Sequence, residues 1–129
     1  MPENATRVNG GELSDAAKTG REAALVYATF PNLAIAEGIG GDLVQAGLAA
    51  CVNLFPGMRS IYRWQGAIER DEEVAAIVKT RAVLVPRVVG WLRIAHPYVN
   101  PAAIVLPVVG GSDAFLSWIA SETAHAGGG

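Results

Sequence analysis

Cysteine is nearly absent from this chain. A single thiol, Cys51, stands among 129 residues, so no disulfide within the chain can hold the fold together. Only two histidines occur, His96 and His125, and no zinc-spaced cluster of Cys and His can be built from them. An excess of one charge is missing too. Ten basic residues against twelve acidic ones leave a formal charge of -2, which supplies no net positive field to draw the chain onto nucleic acid or an anionic membrane. No uncharged run approaches the roughly 18 to 20 apolar residues of a membrane-crossing helix. The opening residues, Met-Pro-Glu-Asn-Ala-Thr-Arg, lack the basic start and apolar stretch of a secretory leader. These absences predict a cytoplasmic protein with neither nucleic acid nor membrane as a partner.

What the chain does have is apolar material for one core, at 51% hydrophobic residues. Residues 1–22 mix Asn, Gly, Thr and charges without an apolar period and read as a disordered tail, as do residues 125–129. The domain is expected over 23–124. Its first element, residues 24–29 (Ala-Leu-Val-Tyr-Ala-Thr), is a buried strand, and Pro31 and Asn32 then introduce a capped helix. Over 33–46 the apolar positions Ala36, Ile39, Leu43 and Ala46 recur at three and four, and Gly47 stops the helix. Gly38, Gly40 and Gly41 weaken it, so it must lean on a sheet, to which their missing side chains let it sit close.

Residues 50–55 form the next strand, closed by Pro56 and Gly57 in a type II turn. Residues 61–64 and 67–69 flank Gln65 and Gly66 as an inserted hairpin. Arg70, Asp71 and Glu72 mark a break or bulge before a strand over 73–80. A second helix over 83–95 tolerates Pro86 in its first turn, buries Leu84, Val88, Trp91 and Ala95, and ends at His96 before Pro97. Residues 104–109 form a strand that Pro107 confines to an edge or bulge, and Ser112 caps a last helix carrying Phe115, Trp118 and Ile119. The order is α+β, a ferredoxin-like split βαβ (βαββαβ) with an inserted β-hairpin and a C-terminal helix.

Chemistry is sparse. Cys51 is either a small buried hydrophobe in a strand or a soft ligand suited to copper or zinc. His96 at a helix C-terminus either bonds the last carbonyls or turns a ring nitrogen to a cleft or a metal. The basic residues beyond the tail, Arg59 to Arg93, are either a solvated face or include an anion pocket in which Arg63, Lys79 and Arg81 meet across a subunit interface. Trp64, at a hairpin tip, calls for burial against a neighbouring subunit together with Tyr62. There is no phosphate loop, no nucleophile elbow and no organic-cofactor motif, so no enzyme is expected.

Three segments taken in order, residues 48–53 (Leu-Ala-Ala-Cys-Val-Asn), 61–69 (Ile-Tyr-Arg-Trp-Gln-Gly-Ala-Ile-Glu) and 96–98 (His-Pro-Tyr), closely resemble the CutA family of divalent-cation tolerance proteins. Residues 78–81, 106–108 and 115–119 follow the same order. The resemblance implies the ferredoxin-like plan, a homotrimer with its sheets packed together, and a part in divalent cation (copper) tolerance through weak metal binding, with His96 and Cys51 near an intersubunit cleft. Relatives commonly read His-Pro-Tyr-Glu-x-Pro-Glu, whereas this chain has Val99 and Ala102 at the two carboxylate positions. The competing expectation, by analogy of fold with trimeric PII-type signalling proteins, is a small-molecule sensor or scaffold holding an anion with Arg63, Lys79, Arg81 and Tyr98.

Overall fold

The computed structural model describes residues 22–128. The tail expected over 1–22 thus lies, through residue 21, outside the described residues. The elements are β1 (Ala23–Phe30), α1 (Leu33–Gln45), β2 (Cys51–Trp64), β3 (Ala67–Arg81), α2 (Val85–Ala95), β4 (Ala103–Pro107), α3 (Asp113–Glu122) and α4 (Ala124–Gly128). A 3-10 turn, Ala82–Leu84, leads into α2. The strands form one antiparallel sheet in the order β2-β3-β1-β4, the α+β ferredoxin-like plan read from the sequence.

Strand alternation decides which face carries the core. Val26, Ala28 and Phe30 of β1 pair with Val78, Ala76 and Val74 of β3, and all six are buried beneath α1 and α2. Ala36, Ile39 and Leu43 descend from α1, and Leu84, Val88 and Leu92 from the 3-10 turn and α2. Each fully buried Leu or Phe contributes roughly 1.5–3 kcal/mol. Thr80 is buried among them because its hydroxyl donates to the Leu48 carbonyl at 2.6 Å.

Local chemistry sets the element ends. Asn32 caps α1, its side-chain oxygen accepting the Ile35 N–H at 2.9 Å, and Gly47 at φ 74° ends it. Within α1 only Gly40 serves close approach, since a Cβ there would meet Val52 Cγ1 at 3.3 Å, whereas Gly38 and Gly41 face open space. Pro86 falls in the first turn of α2, and Ser112 caps α3 by accepting the Phe115 N–H. Pro107 ends β4, which is an edge strand paired with β1 alone.

Four expectations change. Pro56 and Gly57 do not turn the chain. Phe55 pairs with Ala75 and Met58 with Glu73, so the two residues bulge opposite Val74 while β2 runs on to Trp64. A residue without an N–H and a glycine at φ 81° suit that bulge as well as a turn. Arg70, Asp71 and Glu72 interrupt nothing, because β3 is continuous from Ala67 to Arg81. The expected hairpin is present as the far end of β2 and β3, closed by Gln65 and Gly66, both at positive φ. On α2 the buried stripe takes Leu92 where Ala95 was expected, with Trp91 half-buried. Residues 124–128, expected mostly as tail, form α4, with Ala126 buried and its carbonyl accepting from Arg87.

The opposite face of the sheet carries Leu25, Tyr27, Ile77, Lys79, Cys51 and Phe55. Helix α3 covers only one end of it. There Arg81 donates from Nε to Thr123 Oγ1 at 3.0 Å and from Nη2 to the Thr123 carbonyl at 2.8 Å. Lys79 Nζ lies 5.1 Å from the Phe115 ring centre. Beyond α3 the face is open, with Phe55, Ile104 and Leu106 exposed.

Candidate functional site

His96 is the most constrained candidate. It ends α2 in extended geometry, because Pro97 excludes a helical conformation, and its ring is 6% exposed. Phe30 stacks on it at 4.9 Å between centres, and Tyr98 tilts against it at 4.7 Å. Its Nδ1 accepts the Tyr98 N–H at 3.1 Å. A nitrogen that accepts carries no proton in the neutral ring, so Nε2 carries it and donates to the Thr29 carbonyl at 2.6 Å. Both nitrogens are thus committed to the backbone. No lone pair is left for a metal, and the ring pins the end of β1 to the turn after α2.

Cys51 opens β2 directly opposite Lys79, on the face away from the core, as a half-buried free thiol. Thr29, which holds His96, pairs with Ala75. The two candidate ligands are thus four rungs apart along β3, roughly 13 Å, before the strand-to-strand displacement is added. One chain does not bring them together. Among the described residues, no group of three or more His, Cys, Asp or Glu is placed to hold a metal ion. A metal site made by His96 and Cys51 of one and the same chain does not fit this geometry.

The proposed anion cleft is divided in the same way. Lys79 and Arg81 share one face beside α3, but Arg63 pairs with Ile68 near the end of the hairpin, eleven residues along β3 from Lys79. That is roughly 35 Å in an extended strand, so only a second copy could bring Arg63 to the others. Tyr98 is at neither place. Its hydroxyl donates to Glu73 Oε2 at 3.1 Å, tying the turn after α2 to the base of the hairpin. Burial, followed by the charge and hydrogen bond of Glu73, raises its pKa.

Tyr62 and Trp64 lie on the same face of the hairpin as Glu69, Asp71 and Glu73. The Tyr62 hydroxyl donates to Asp71 Oδ2. That bond, with desolvation and the charges of Asp71, Glu69 and Glu73 adding to it, pushes the phenol up to about 12. At the foot of this face, the Tyr27 hydroxyl donates to the Met58 sulfur at 3.5 Å. In the sequence Asp71 and Glu72 signal only a break, whereas alternation along one continuous strand puts Glu69, Asp71 and Glu73 on a shared face.

Residues 24–122 match the CutA1 divalent ion tolerance protein family. The chain belongs to that family. It is 39% identical over 99 residues to the Arabidopsis thaliana protein named "Protein CutA, chloroplastic", covering 77% of this chain and 54% of the relative. With the Thermus thermophilus "Divalent-cation tolerance protein CutA" it shares 38% over 99 residues, 77% of this chain and 96% of that one. The chain thus spans about half the length of the plant relative and nearly all of the bacterial one.

Among solved structures, CutA from Xylella fastidiosa superposes with a TM-score of 0.77 at 43% identity, covering 79% of this chain and 98% of that one. The Archaeoglobus fulgidus protein titled "Periplasmic divalent cation tolerance protein CutA" gives 0.76 at 38%, covering 78% and 98%. The CutA1 description concerns ion tolerance and names no reaction. Among the described residues no helix is long and apolar enough to cross a membrane.

Proposed function

We propose that this CutA-family chain contributes to divalent cation tolerance as a cytoplasmic homotrimer, formed on the open face of its sheet, and that it binds copper or zinc only weakly. The observation that carries the reading is the exposure of large side chains on that face, with Phe55 at 52% and Trp64 at 58%. A monomer would hold these in water, whereas packing against further copies removes them. Among the described residues, β2 and β4 are the edges of the sheet and offer unpaired backbone to another chain. Cys51 is the soft donor on the outer face, while His96 is spent on the backbone. A single free thiol fits a reducing compartment. No catalytic step belongs to this reading.

The test is calorimetric titration of the purified protein with copper and zinc, while light scattering follows its mass. The reading expects a trimer with weak, Cys51-dependent heat that His96→Ala leaves unchanged. Tight binding abolished by His96→Ala would overturn the assignment of the ring to the fold. Cell fractionation tests the compartment, the relatives being named for chloroplast and periplasm.

The sensor reading has one observation in its favour. A groove of about 510 Å³ beside α3 is lined by Arg81, Asp113, Ser117 and Ser121 among others. Saturable binding of inorganic phosphate or a small dicarboxylate, lost in Ser117→Trp, would support it. Absence of binding would dismiss it.

A further inference from the structure

Two arginines from different elements converge on the segment that joins α3 to α4. Arg81, at the end of β3, donates from Nε to Thr123 Oγ1 at 3.0 Å and from Nη2 to the Thr123 carbonyl at 2.8 Å. Arg87, in the first turn of α2, donates from Nη1 to the Ala126 carbonyl, three residues further on. Among the described residues no carboxylate pairs with Arg87. The segment so held is weak by itself. α4 reads Ala-His-Ala-Gly-Gly, far short of the roughly 12 to 15 residues an isolated helix needs, and its two glycines lower its helicity further. Among its described side chains only the Ala126 methyl is buried, beside Gly47, where an added Cβ would lie 3.6 Å from the Ala126 Cβ. α4 also lies wholly beyond residues 24–122, the stretch that matches the family, so it is an addition to the matched domain. It stands at one end of the groove of about 510 Å³ along α3, whose lining includes Arg81, Ser117, Ser121 and Ala124.

We propose that Arg81 and Arg87 form a binding site for an oxyanion of the phosphate type, and that α4 is a strap whose carbonyl occupies that site until the anion displaces it. The inference goes beyond cation tolerance; it deepens the reading of the groove as an anion site and rests on it. A guanidinium bonds a charged oxygen about twice as strongly as a neutral carbonyl, and it can offer two parallel N–H groups to one phosphate. Exchange of carbonyl for anion is therefore favourable to the arginines. Within the strap it is opposed by the burial of a single methyl group. The Ser117 and Ser121 hydroxyls on the groove wall supply further donors for the oxygens of the anion. The one carboxylate in the lining, Asp113, is at the other end of α3, roughly 15 Å from Thr123 along the helix. Binding and release are linked in both directions: the anion loosens the strap, and whatever loosens the strap tightens the anion.

The experiment titrates three full-length proteins with inorganic phosphate by calorimetry: the unaltered chain, Ala126→Trp, whose indole does not fit beside Gly47, and Arg87→Gln. Amide hydrogen exchange over residues 124–128 is followed with and without phosphate, and circular dichroism checks the fold. The strap predicts saturable binding to the unaltered chain, at least tenfold tighter binding to Ala126→Trp, and at least tenfold weaker binding to Arg87→Gln. It also predicts that phosphate accelerates exchange over 124–128 in the unaltered chain. Should Ala126→Trp fail to fold, Arg87→Gln and the exchange measurement decide. Phosphate bound equally by the unaltered chain and Arg87→Gln, with exchange over 124–128 unchanged, would overturn the strap and leave the groove reading standing. Failure of every folded protein to bind phosphate would remove both.

Discussion

The body of the sheet and its projecting hairpin are built from the same two strands, yet they follow different rules. Where β3 lies between β1 and β2, one face is sealed, and Val26, Ala28 and Ala76 are each 0% exposed. Past the bulge at Pro56 and Gly57, β3 has among the described residues a partner on one side only, and Ile61 is 66% exposed. The difference teaches where each part obtains its stability. The body is closed by its own helices, whereas the hairpin leaves both of its faces largely exposed. A two-stranded ribbon alone is marginal in water, and this one is held by its continuity with the body and by Tyr98 at its base.

The sharpest way to break the comparison is to remove a buried side chain from the body. Leu92→Ala should cost about 2–5 kcal/mol in chemical denaturation, as cavities in closed cores do. Trp64→Ala should do the reverse in kind. The protomer's own stability should move by no more than about 0.5 kcal/mol, while assembly measured by dilution should weaken by about 2 kcal/mol or more if the indole anchors the interface. If Trp64→Ala unfolds the isolated chain, the division between body and hairpin is wrong.

His96→Ala probes the seam between the two. It leaves the Thr29 carbonyl without its donor and removes a ring stacked on Phe30, so a loss of about 1–3 kcal/mol is expected. Hydrogen exchange at Tyr98 should accelerate with it, and metal affinity should be unaltered. The smallest effect concerns pH. Tyr62 has its phenol raised above the ordinary value near 10, to about 12. The stability from its bond to Asp71 is therefore complete below pH about 10 and is lost as pH rises through about 12. Tyrosinate absorbance should show Tyr62 and Tyr98 titrating late, and Asp71→Asn should bring the Tyr62 titration back down.

The body was legible in the sequence because its periods are simple. The alternation in β1, the three-and-four spacing of Ala36, Ile39 and Leu43, and the caps at Asn32 and Ser112 each identify an element by local chemistry. The hairpin was legible only at its tip, through Gln65 and Gly66. Pro56 and Gly57 have the same composition whether they turn or bulge, and the long ladder from Met58 to Trp64 decides between these by pairing that no local window contains. The role of His96 was not legible for a related reason. Whether a histidine is free depends on what its nitrogens meet, and the carbonyl that engages His96 comes from Thr29, far away in sequence.

The central claim is that the open face and the hairpin are completed by further copies of the chain. It is tested most directly by the absolute mass of the purified protein over a wide dilution range. One chain weighs 13.4 kDa, and the account predicts a species of three chains, about 40 kDa, that persists on dilution. A well-folded species of one chain's mass at every concentration would contradict it.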